Sequence, residues 1–400
     1  MRLRTYESFW LLKNGLLYSY PSLHEDLKAE IVVIGGGITG ALISHALVKS
    51  GHKVLLLDKR DIGHGSTSAT TSMLQYEIDV PLYKLAEMIG EDAATKCYKA
   101  GIEAIHEIEQ LIGEENIDCG FERKQSLYIA HNKKSANWLK KEFQIRQKHD
   151  LGVEWLDATD VKNIYGLISY GAIRSNTGAS IDAYKLAHEL IHKNTKRGLT
   201  VYDQTNIEKF NFGKDGVEIN LENGKKVVCK KIVFCSGFET LEMIKENIAD
   251  LFSTFACVSE QGIEVNRNLH DTLIWDTANP YLYMRSTKDG RLLVGGEDSR
   301  FNSGPFRERQ KRAKSKSLVK KLQKLIPGIN FIEDFNWAGV FGSTKDGLPY
   351  IGEHPKFPNA LFVLGFGGNG ITFSIQGMKM IDDLLAGNEN ELLHYYRFGR

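Results

Sequence analysis

The sequence predicts an α/β (α+β) fold, and three stretches of the chain lead to that prediction. Residues 31–58 have the pattern of a buried strand, a glycine-rich turn, an amphipathic helix and a second buried strand. Residues 217–229 alternate apolar and polar residues on either side of an Asn-Gly pair, as β-hairpins do. Residues 360–387 repeat a strand, a glycine loop and a helix. Together they indicate a βαβ unit, a hairpin and a second strand–loop–helix unit.

The composition is that of an ordinary globular chain. Its 400 residues, 42% apolar and 25% charged, suffice for two domains or one large interleaved fold. Fifty-one basic and fifty acidic residues give a net charge of +1, which argues against a polyanionic partner. The five cysteines form no C-x-x-C pair, so we expect reduced thiols and a cytoplasmic protein. Polar residues at 13–15 interrupt the N-terminal segment, so we expect neither a signal peptide nor a membrane span.

The segment IVVIGGGITG carries a G-x-G-x-x-G motif directly after the first strand. Gly35 allows a tight turn, Gly37 lets the backbone approach a pyrophosphate, and Gly40 lets the helix and strand pack closely. The free amides and the positive dipole end of the helix then face the phosphates. The alternative is a glycine-rich turn in some other α/β unit, but the strand–helix–strand context favours dinucleotide binding.

Asp58 ends the second strand of this unit. Its carboxylate can accept hydrogen bonds from both hydroxyls of a ribose, and it would repel a 2′-phosphate. The sequence therefore predicts a dinucleotide of the FAD or NAD type and disfavours NADP.

Two further loops are candidates for the same ligand. The first, GSTSATTS at residues 65–72, is small and rich in hydroxyls, which can bond phosphates or the edge of a flavin; the alternative is an ordinary Ser/Thr loop. The second, GGNGITFS at residues 367–374, opens a helix with no acid after it, so it does not complete a second nucleotide fold. Its amides can face another electron-rich group, such as a flavin's pyrimidine end.

The remaining segments alternate helical and strand patterns. Residues 1–29 form an aromatic arm that we expect to pack on the body of the protein. Residues 83–113 and 135–149 have helical periodicity, residues 255–259 and 262–265 favour strands, and residues 281–295 favour a hairpin. A very basic helix follows at residues 307–324. A solvated helix face explains its charge better than a nucleic-acid surface does.

Taken in order, these motifs resemble the D-amino-acid oxidase superfamily of FAD-dependent oxidoreductases, which includes glycine and sarcosine oxidases and γ-glutamylputrescine oxidase. The motifs are GGGITG with Asp58, GSTSATTSM, a strand ending in CSG, YLYMRSTKDGRLLVGG, TKDGLPYIG and LGFGGNGITFS. The resemblance covers nearly the whole chain, and the aromatic arm is most similar to the γ-glutamylputrescine oxidase branch. It implies a Rossmann-like, glutathione-reductase-type FAD-binding domain (1–82, 151–250 and 336–400) interleaved with a mixed-sheet substrate domain (83–150 and 251–335).

The resemblance also implies the residues that hold FAD. Those expected at the adenosine and pyrophosphate are Gly35, Gly37, Ile38, Thr39, Gly40, Asp58, Lys59, Ile207, Ser236 and Gly237. Those expected along the flavin are Ser66, Thr67, Thr71, Ser72, Met73, Gly339, Gly367, Gly368, Asn369, Gly370, Ile371 and Thr372. The FAD is expected to be non-covalent, because the position of the covalent cysteine of sarcosine oxidases is Gly339 here.

The chemistry implied is removal of a hydride from a carbon that bears an amine, followed by hydrolysis of the imine. Two departures from the family pattern bear on substrate and acceptor. Phe341 replaces the Arg that pairs with a substrate carboxylate, and Leu293 replaces a Lys that assists the reaction with dioxygen. Reoxidation by dioxygen is therefore in question.

The candidate substrate residues lie on one predicted strand face, at Tyr281, Tyr283 and Arg285, with Glu297 and Phe341 nearby. We expect an amine held against aromatic groups, with Glu297 as a cation partner. The alternative is a carboxylate paired with Arg285, and a third possibility is that Arg285 forms a surface ion pair.

Three functions remain open at this stage. The first is amine or amino-acid oxidation, with a small-molecule substrate, no nucleic-acid partner, no integral membrane association and an open oligomeric state. The second is FAD-dependent chemistry on a modified tRNA base, for which the basic helix is the only support. The third is a flavin-binding scaffold without turnover.

Overall fold

The computed structural model describes residues 1–301 and 303–400, which form two eight-stranded sheets, a small three-stranded sheet and the helices around them. The helices are α1 (Phe9–Asn14), α2 (Ile38–Lys49), α3 (Leu82–Ile89), α4 (Glu91–Glu114), α5 (Lys133–Lys148), α6 (Ala158–Tyr165), α7 (Ala183–Thr195), α8 (Thr240–Ile244), α9 (Arg267–His270), α10 (Gly304–Leu325), α11 (Gly370–Ala386) and α12 (Glu391–Tyr396). The strands are β1 (Leu27–Ile34), β2 (Val54–Leu57), β3 (Met73–Leu74), β4 (Glu122–Arg123), β5 (Gln125–Ile129), β6 (Val153–Leu156), β7 (Ala172–Ser175), β8 (Ala179–Ser180), β9 (Thr200–Tyr202), β10 (Ile207–Gly213), β11 (Gly216–Leu221), β12 (Lys226–Phe234), β13 (Asp250–Ser259), β14 (Thr272–Asp276), β15 (Leu282–Ser286), β16 (Leu292–Ser299), β17 (Glu333–Ser343), β18 (Tyr350–Glu353) and β19 (Ala360–Leu364).

The first large sheet is built around β1. Its strand order is β10-β11-β12-β1-β2-β9. Strand β19 pairs with the C-terminal residues 232–234 of β12, and β18 pairs with β19. Strands β12, β1, β2 and β9 are parallel, so their carboxyl ends meet at one edge. In open α/β sheets, ligands bind beyond this edge.

The helices α2 and α11 pack side by side on this sheet, and a glycine in each lets the helix approach the strands closely. A Cβ added at Gly40 would lie 1.8 Å from the carbonyl oxygen of Gly35, and one at Gly377 would lie 2.8 Å from a methyl carbon of Val363. Gly40 therefore has the packing role expected for the third glycine of the motif.

The second large sheet has the order β17-β13-β16-β15-β14-β5-β7-β6. Helix α10 covers it and buries Leu318 and Leu322 against its apolar face. Two lysines of this basic helix, Lys314 and Lys321, form ion pairs with Glu297 on β16. This packing supports a helix with one solvated face.

Sheet membership differs from the domain boundaries expected from sequence. Strands β6 and β7 (153–175) belong to the second sheet, although residues 151–250 were assigned to the FAD domain, and β17 continues that sheet past residue 336. The strand predicted at 262–265 is wrong, because these residues form a turn and an extended segment. The helix predicted over 83–113 is divided at Gly90, whose φ of 93° ends α3.

Three other expectations concern the whole chain. The aromatic arm packs as expected, since Phe9 and Trp10 are buried against Trp337 and Leu293. All five cysteines are buried and unpaired. Within residues 1–301 and 303–400, no helix combines the length and apolar character that crossing a membrane requires.

Candidate functional site

A cavity of about 1030 Å³ lies between the two large sheets. One end is bounded by the carboxyl ends of β1, β2 and β12 and by β10, and the other end by β13, β15 and β17 of the second sheet. The loop 65–71 and the start of α11 line the region between them. The site predicted from separate sequence motifs is therefore one continuous cavity.

The first end presents the N-terminus of α2. Gly37 and Thr39 line the cavity, and among the described residues nothing accepts a hydrogen bond from their amides. The amide of Ile38 donates to Thr67 Oγ1 at 2.9 Å, which ties the hydroxyl-rich loop to the helix. A Cβ at Gly37 would lie 2.8 Å from the same oxygen. Free amides at a positive helix end suit a pyrophosphate.

Asp58 is held at the mouth of this end by two backbone amides. Its Oδ2 accepts from Gly36 at 2.6 Å and its Oδ1 from Arg60 at 2.8 Å. Burial raises the pKa of Asp58 to about 6, although both amides act in the opposite direction. Lys59 and Arg60 are not free cations, because both pair with Glu239 on the cavity wall.

The N-terminus of α11 lines the region between the two ends of the cavity. Asn369 donates from its side chain to the Gln75 carbonyl at 2.8 Å, and Gly368 donates its amide to Asp79 at 3.0 Å. Gly370 and Ile371 line the cavity, and their amides find no acceptor among the described residues. These donors suit an electron-rich ring edge, as the sequence predicted for this loop.

Most of the residues expected to hold the cofactor line this cavity. They are Gly35, Gly37, Ile38, Thr39, Asp58, Lys59, Ser66, Thr67, Thr71, Met73, Ile207, Ser236, Gly237, Gly339, Gly367, Gly368, Asn369, Gly370 and Ile371. Three do not: Gly40 packs under Gly35, Ser72 is buried behind the loop, and Thr372 donates its hydroxyl to the Asn369 carbonyl. These three support the walls without forming them.

The second-sheet end is aromatic. Tyr281, Tyr283 and Phe341 line it as expected, together with Trp275 and Thr254. The rings of Tyr281 and Tyr283 lie 5.5 Å apart, and Gly295 leaves the space that the Tyr283 ring occupies. Burial raises the pKa of both phenols, so both stay protonated at neutral pH.

Arg285 and Glu297 do not have the substrate-binding positions that the sequence suggested. Arg285 shares the strand face of Tyr283, but its guanidinium is buried and donates to three backbone carbonyls behind the cavity. It is neither a carboxylate partner in the cavity nor a surface ion pair. Glu297 points to α10, where Lys314 and Lys321 neutralise it. The strand alternation was predicted well, but the depth of each side chain was not visible in it.

Sequence reasoning missed the acids of the cavity. Gln75, Glu77 and Asp79 line it, while Tyr76 and Ile78 between them are buried in the core. This alternation at period two in QYEID was the available signal. Asp298, adjacent to Glu297, lies near Asp79 and Tyr281.

The fold and the cavity are those of a dinucleotide-binding protein in which a second sheet faces the same cavity. The chain matches the model of the DAO family, described as FAD dependent oxidoreductase, over residues 30–382. It therefore belongs to the DAO family of FAD-dependent oxidoreductases, as the sequence motifs predicted.

Individual relatives agree with this assignment. The chain is 26% identical over 388 residues to glycine oxidase of Bacillus subtilis (strain 168), covering 93% of this chain and 97% of the relative. It is 24% identical over 391 residues to the γ-glutamylputrescine oxidoreductase of Escherichia coli (strain K12), covering 95% and 89%. The crystal structure of glycine oxidase from Geobacillus kaustophilus superposes with a TM-score of 0.77 at 21% identity, over 94% of this chain and 99% of that one, which shows a shared fold.

The residues present fit FAD. The amides of Gly37, Thr39, Gly370 and Ile371 have no acceptor among the described residues, and Asp58 lines the same cavity. Gly339 is also in the wall, where it offers no thiol for a covalent bond. The phosphate groups would lie at α2, the ribose at Asp58 and the pyrimidine end of the flavin at α11.

Proposed function

We propose that this enzyme oxidises an amine without an α-carboxylate, and that the amine binds as a cation at the second-sheet end of the cavity. The observation that carries the proposal is the charge of that end. Among the described residues that line the cavity, every Lys and Arg belongs to the first end, namely Lys59, Arg60, Lys209 and Lys245. The second end has acids and aromatic rings, which together attract an ammonium group.

Asp79 is the main acid of this end. It opens onto the cavity, and its neighbours Gly367 and Gly368 supply one amide and no positive charge. Burial raises the pKa of Asp79, and the Gly368 amide acts in the opposite direction. A bound ammonium group would supply the missing positive charge.

Two neighbours strengthen the negative potential. Burial raises the pKa of Asp298 to about 6, and repulsion from Asp79 adds to that shift. Glu77 has Arg146 at 3.5 Å, but Arg146 also bonds Glu142 at 2.7 Å, so the three groups together carry a negative charge when ionised. The α-carboxylate of a substrate would meet repulsion at this end, and no described residue that lines it supplies a cation.

The roles of the residues follow from this arrangement. When bound, FAD would supply the hydride acceptor for the carbon next to nitrogen. The ammonium would first transfer a proton to Asp79 or to water, so that the nitrogen lone pair can form the C=N bond as the hydride leaves, and the resulting iminium would hydrolyse in water. Tyr281, Tyr283 and Phe341 exclude water and orient the C–H bond, while Asp79 holds the charged end of the substrate. The phenols contribute packing and hydrogen bonds, since burial keeps them protonated.

The test is Asp79→Asn, which removes the charge and retains an oxygen for the Gly368 amide. We expect KM for amines to rise roughly ten- to hundredfold, because an ammonium would lose a charged hydrogen-bond partner. FAD occupancy, checked by the visible spectrum, should be unchanged. Asp250→Asn is the matched control, since Asp250 is exposed and does not line the cavity. An unchanged KM in Asp79→Asn would contradict the assignment of Asp79.

A further inference from the structure

Three consecutive carbonyls of the loop 65–72 are each held by a buried side chain from a different element. Ala69 O accepts from Trp337 Nε1 at 2.8 Å, and Thr70 O accepts from Trp10 Nε1 at 2.7 Å. Thr71 O accepts from Arg285 Nε at 2.6 Å. Trp337 is in β17, Trp10 is in the N-terminal arm and Arg285 is in β15. Donors from three separate parts of the chain therefore converge on one short segment.

The geometry of the peptide bond gives these contacts a consequence for the cavity. In a trans peptide, the carbonyl and the amide hydrogen point in opposite directions. With the carbonyls of Ala69 and Thr70 turned toward the two indoles, the amides of Thr70 and Thr71 turn away from them. Both residues line the cavity, and no described residue accepts a hydrogen bond from either amide. The two N–H groups are available to a ligand in the cavity.

Arg285 adds a fixed charge behind this loop. Its side chain is 3% exposed, and its other donors reach Ile181 O and Ser286 O, both at 3.1 Å. It forms no salt bridge with a described residue, and its guanidinium carbon lies 5.5 Å from the centre of the Trp10 ring. The carboxylates of Asp182, Glu122 and Asp289 act on this guanidinium electrostatically. Burial lowers the pKa of Arg285 to about 10, so the side chain remains a cation behind the loop at neutral pH.

The N-terminal arm is fixed to the same wall. Thr5 donates its amide to Ala338 O at 2.9 Å, Val340 donates to Leu3 O at 2.8 Å, and Leu3 itself lines the cavity. The arm that brings Trp10 to the loop thus pairs with the edge of β17 at Gly339.

We propose that Trp10, Trp337 and Arg285 are positioning residues for the flavin. They fix the loop so that the amides of Thr70 and Thr71 bond the electron-rich edge of the bound cofactor. Arg285 also stabilises the negative charge that the flavin gains on reduction. Arg285, considered from sequence as a substrate ligand, acts instead on the cofactor through the loop.

The test uses Trp10→Phe and Trp337→Phe, which keep an aromatic ring and remove one N–H donor each. We expect each change to weaken FAD binding to the apoprotein by roughly tenfold, since the freed carbonyl lets the loop rotate. We expect the midpoint potential of the bound flavin to become more negative in both. Trp138→Phe is the control, because Trp138 packs on Tyr83 and Tyr128 away from the cavity.

Arg285→Lys and Arg285→Met separate charge from geometry. Lys keeps the charge and loses the fork of donors, so its potential should lie nearer the wild-type value than that of Met, while both weaken FAD binding. If Trp10 and Trp337 only stabilised the fold, their Phe variants would have a lower melting temperature as apoproteins. Their FAD affinity and flavin midpoint potential would then equal those of Trp138→Phe. That result in both Trp→Phe variants would overturn the proposal, whether or not the Arg285 variants fold.

Discussion

At the scale of single residues, charge and burial decide which side chains do chemistry here. Asp79 and Arg285 show this in opposite ways. Asp79 has no cation partner among the described residues and lines the cavity, whereas the guanidinium of Arg285 donates hydrogen bonds to three backbone carbonyls outside the cavity. Alternation along a strand predicted correctly which face of the sheet Arg285 lies on. Whether its side chain reaches the cavity depends on the loop that packs between that face and the cavity. Thr71 of that loop, 65–72, is 214 residues before Arg285 in the chain, so no local pattern could reveal the contact.

We expect Asp58 to make FAD binding pH-dependent. Its pKa of about 6 in the free protein should fall when ribose hydroxyls donate to the ionised carboxylate. FAD therefore prefers deprotonated Asp58, and its affinity should decrease as the pH falls below about 6, by at most about tenfold per pH unit. FAD titrations of the apoprotein between pH 8 and pH 5 measure this, with Asp58→Asn as the reference. The same slope in Asp58→Asn would assign the dependence to another group.

At the scale of elements, the sequence predicted the parts that depend on local rules. The βαβ unit, the hairpin of β11 and β12, the second strand–loop–helix unit and the basic helix are all confirmed. The errors occur where tertiary contacts decide. Gly90 divides one amphipathic pattern into two helices, and residues 153–156 join the second sheet because β7 pairs with them.

Gly37 tests the role of α2. In Gly37→Val, a side chain would occupy the approach of the pyrophosphate and press on Thr67 Oγ1, 2.8 Å from the Cβ position. We expect the protein to purify without flavin colour and with a lower melting temperature, because bound ligand stabilises the fold by mass action. Gly113→Ala is the control, since Gly113 is helical with open space around it. A fully yellow Gly37→Val protein would show that this turn does not hold the cofactor.

At the scale of the whole molecule, two sheets and the N-terminal arm enclose the cofactor from different sides. The arm was predicted to pack on the body, and it does, but its proximity to Gly339 and the loop 65–72 could not be read from its composition. Leu293, which replaces a lysine of the family pattern, is buried with Phe9, Trp10 and Trp337 and does not line the cavity. The aromatic arm thus packs against Leu293 outside the cavity.

We expect this enclosure to make dioxygen a slow acceptor. No cation lines the second end among the described residues, and Leu293 offers no charge to stabilise superoxide. The guanidinium of Arg285 does not line the cavity and is bonded to three carbonyls. A quinone or an artificial dye should reoxidise the reduced enzyme faster than air-saturated buffer does. Stopped-flow mixing compares the two acceptors directly. Prompt formation of hydrogen peroxide at a rate equal to that of the dye would contradict this expectation.

Anaerobic titration of the purified holoenzyme shows whether the enzyme oxidises amines that have no α-carboxylate. Each amine is paired with the amino acid that differs from it only by a carboxylate, and bleaching of the flavin is followed in the visible spectrum. We expect bleaching by at least one amine and slower or no bleaching by its carboxylated partner, because the described residues of the second end include acids and no cation. Bleaching by glycine or D-amino acids with no response to any amine would contradict it.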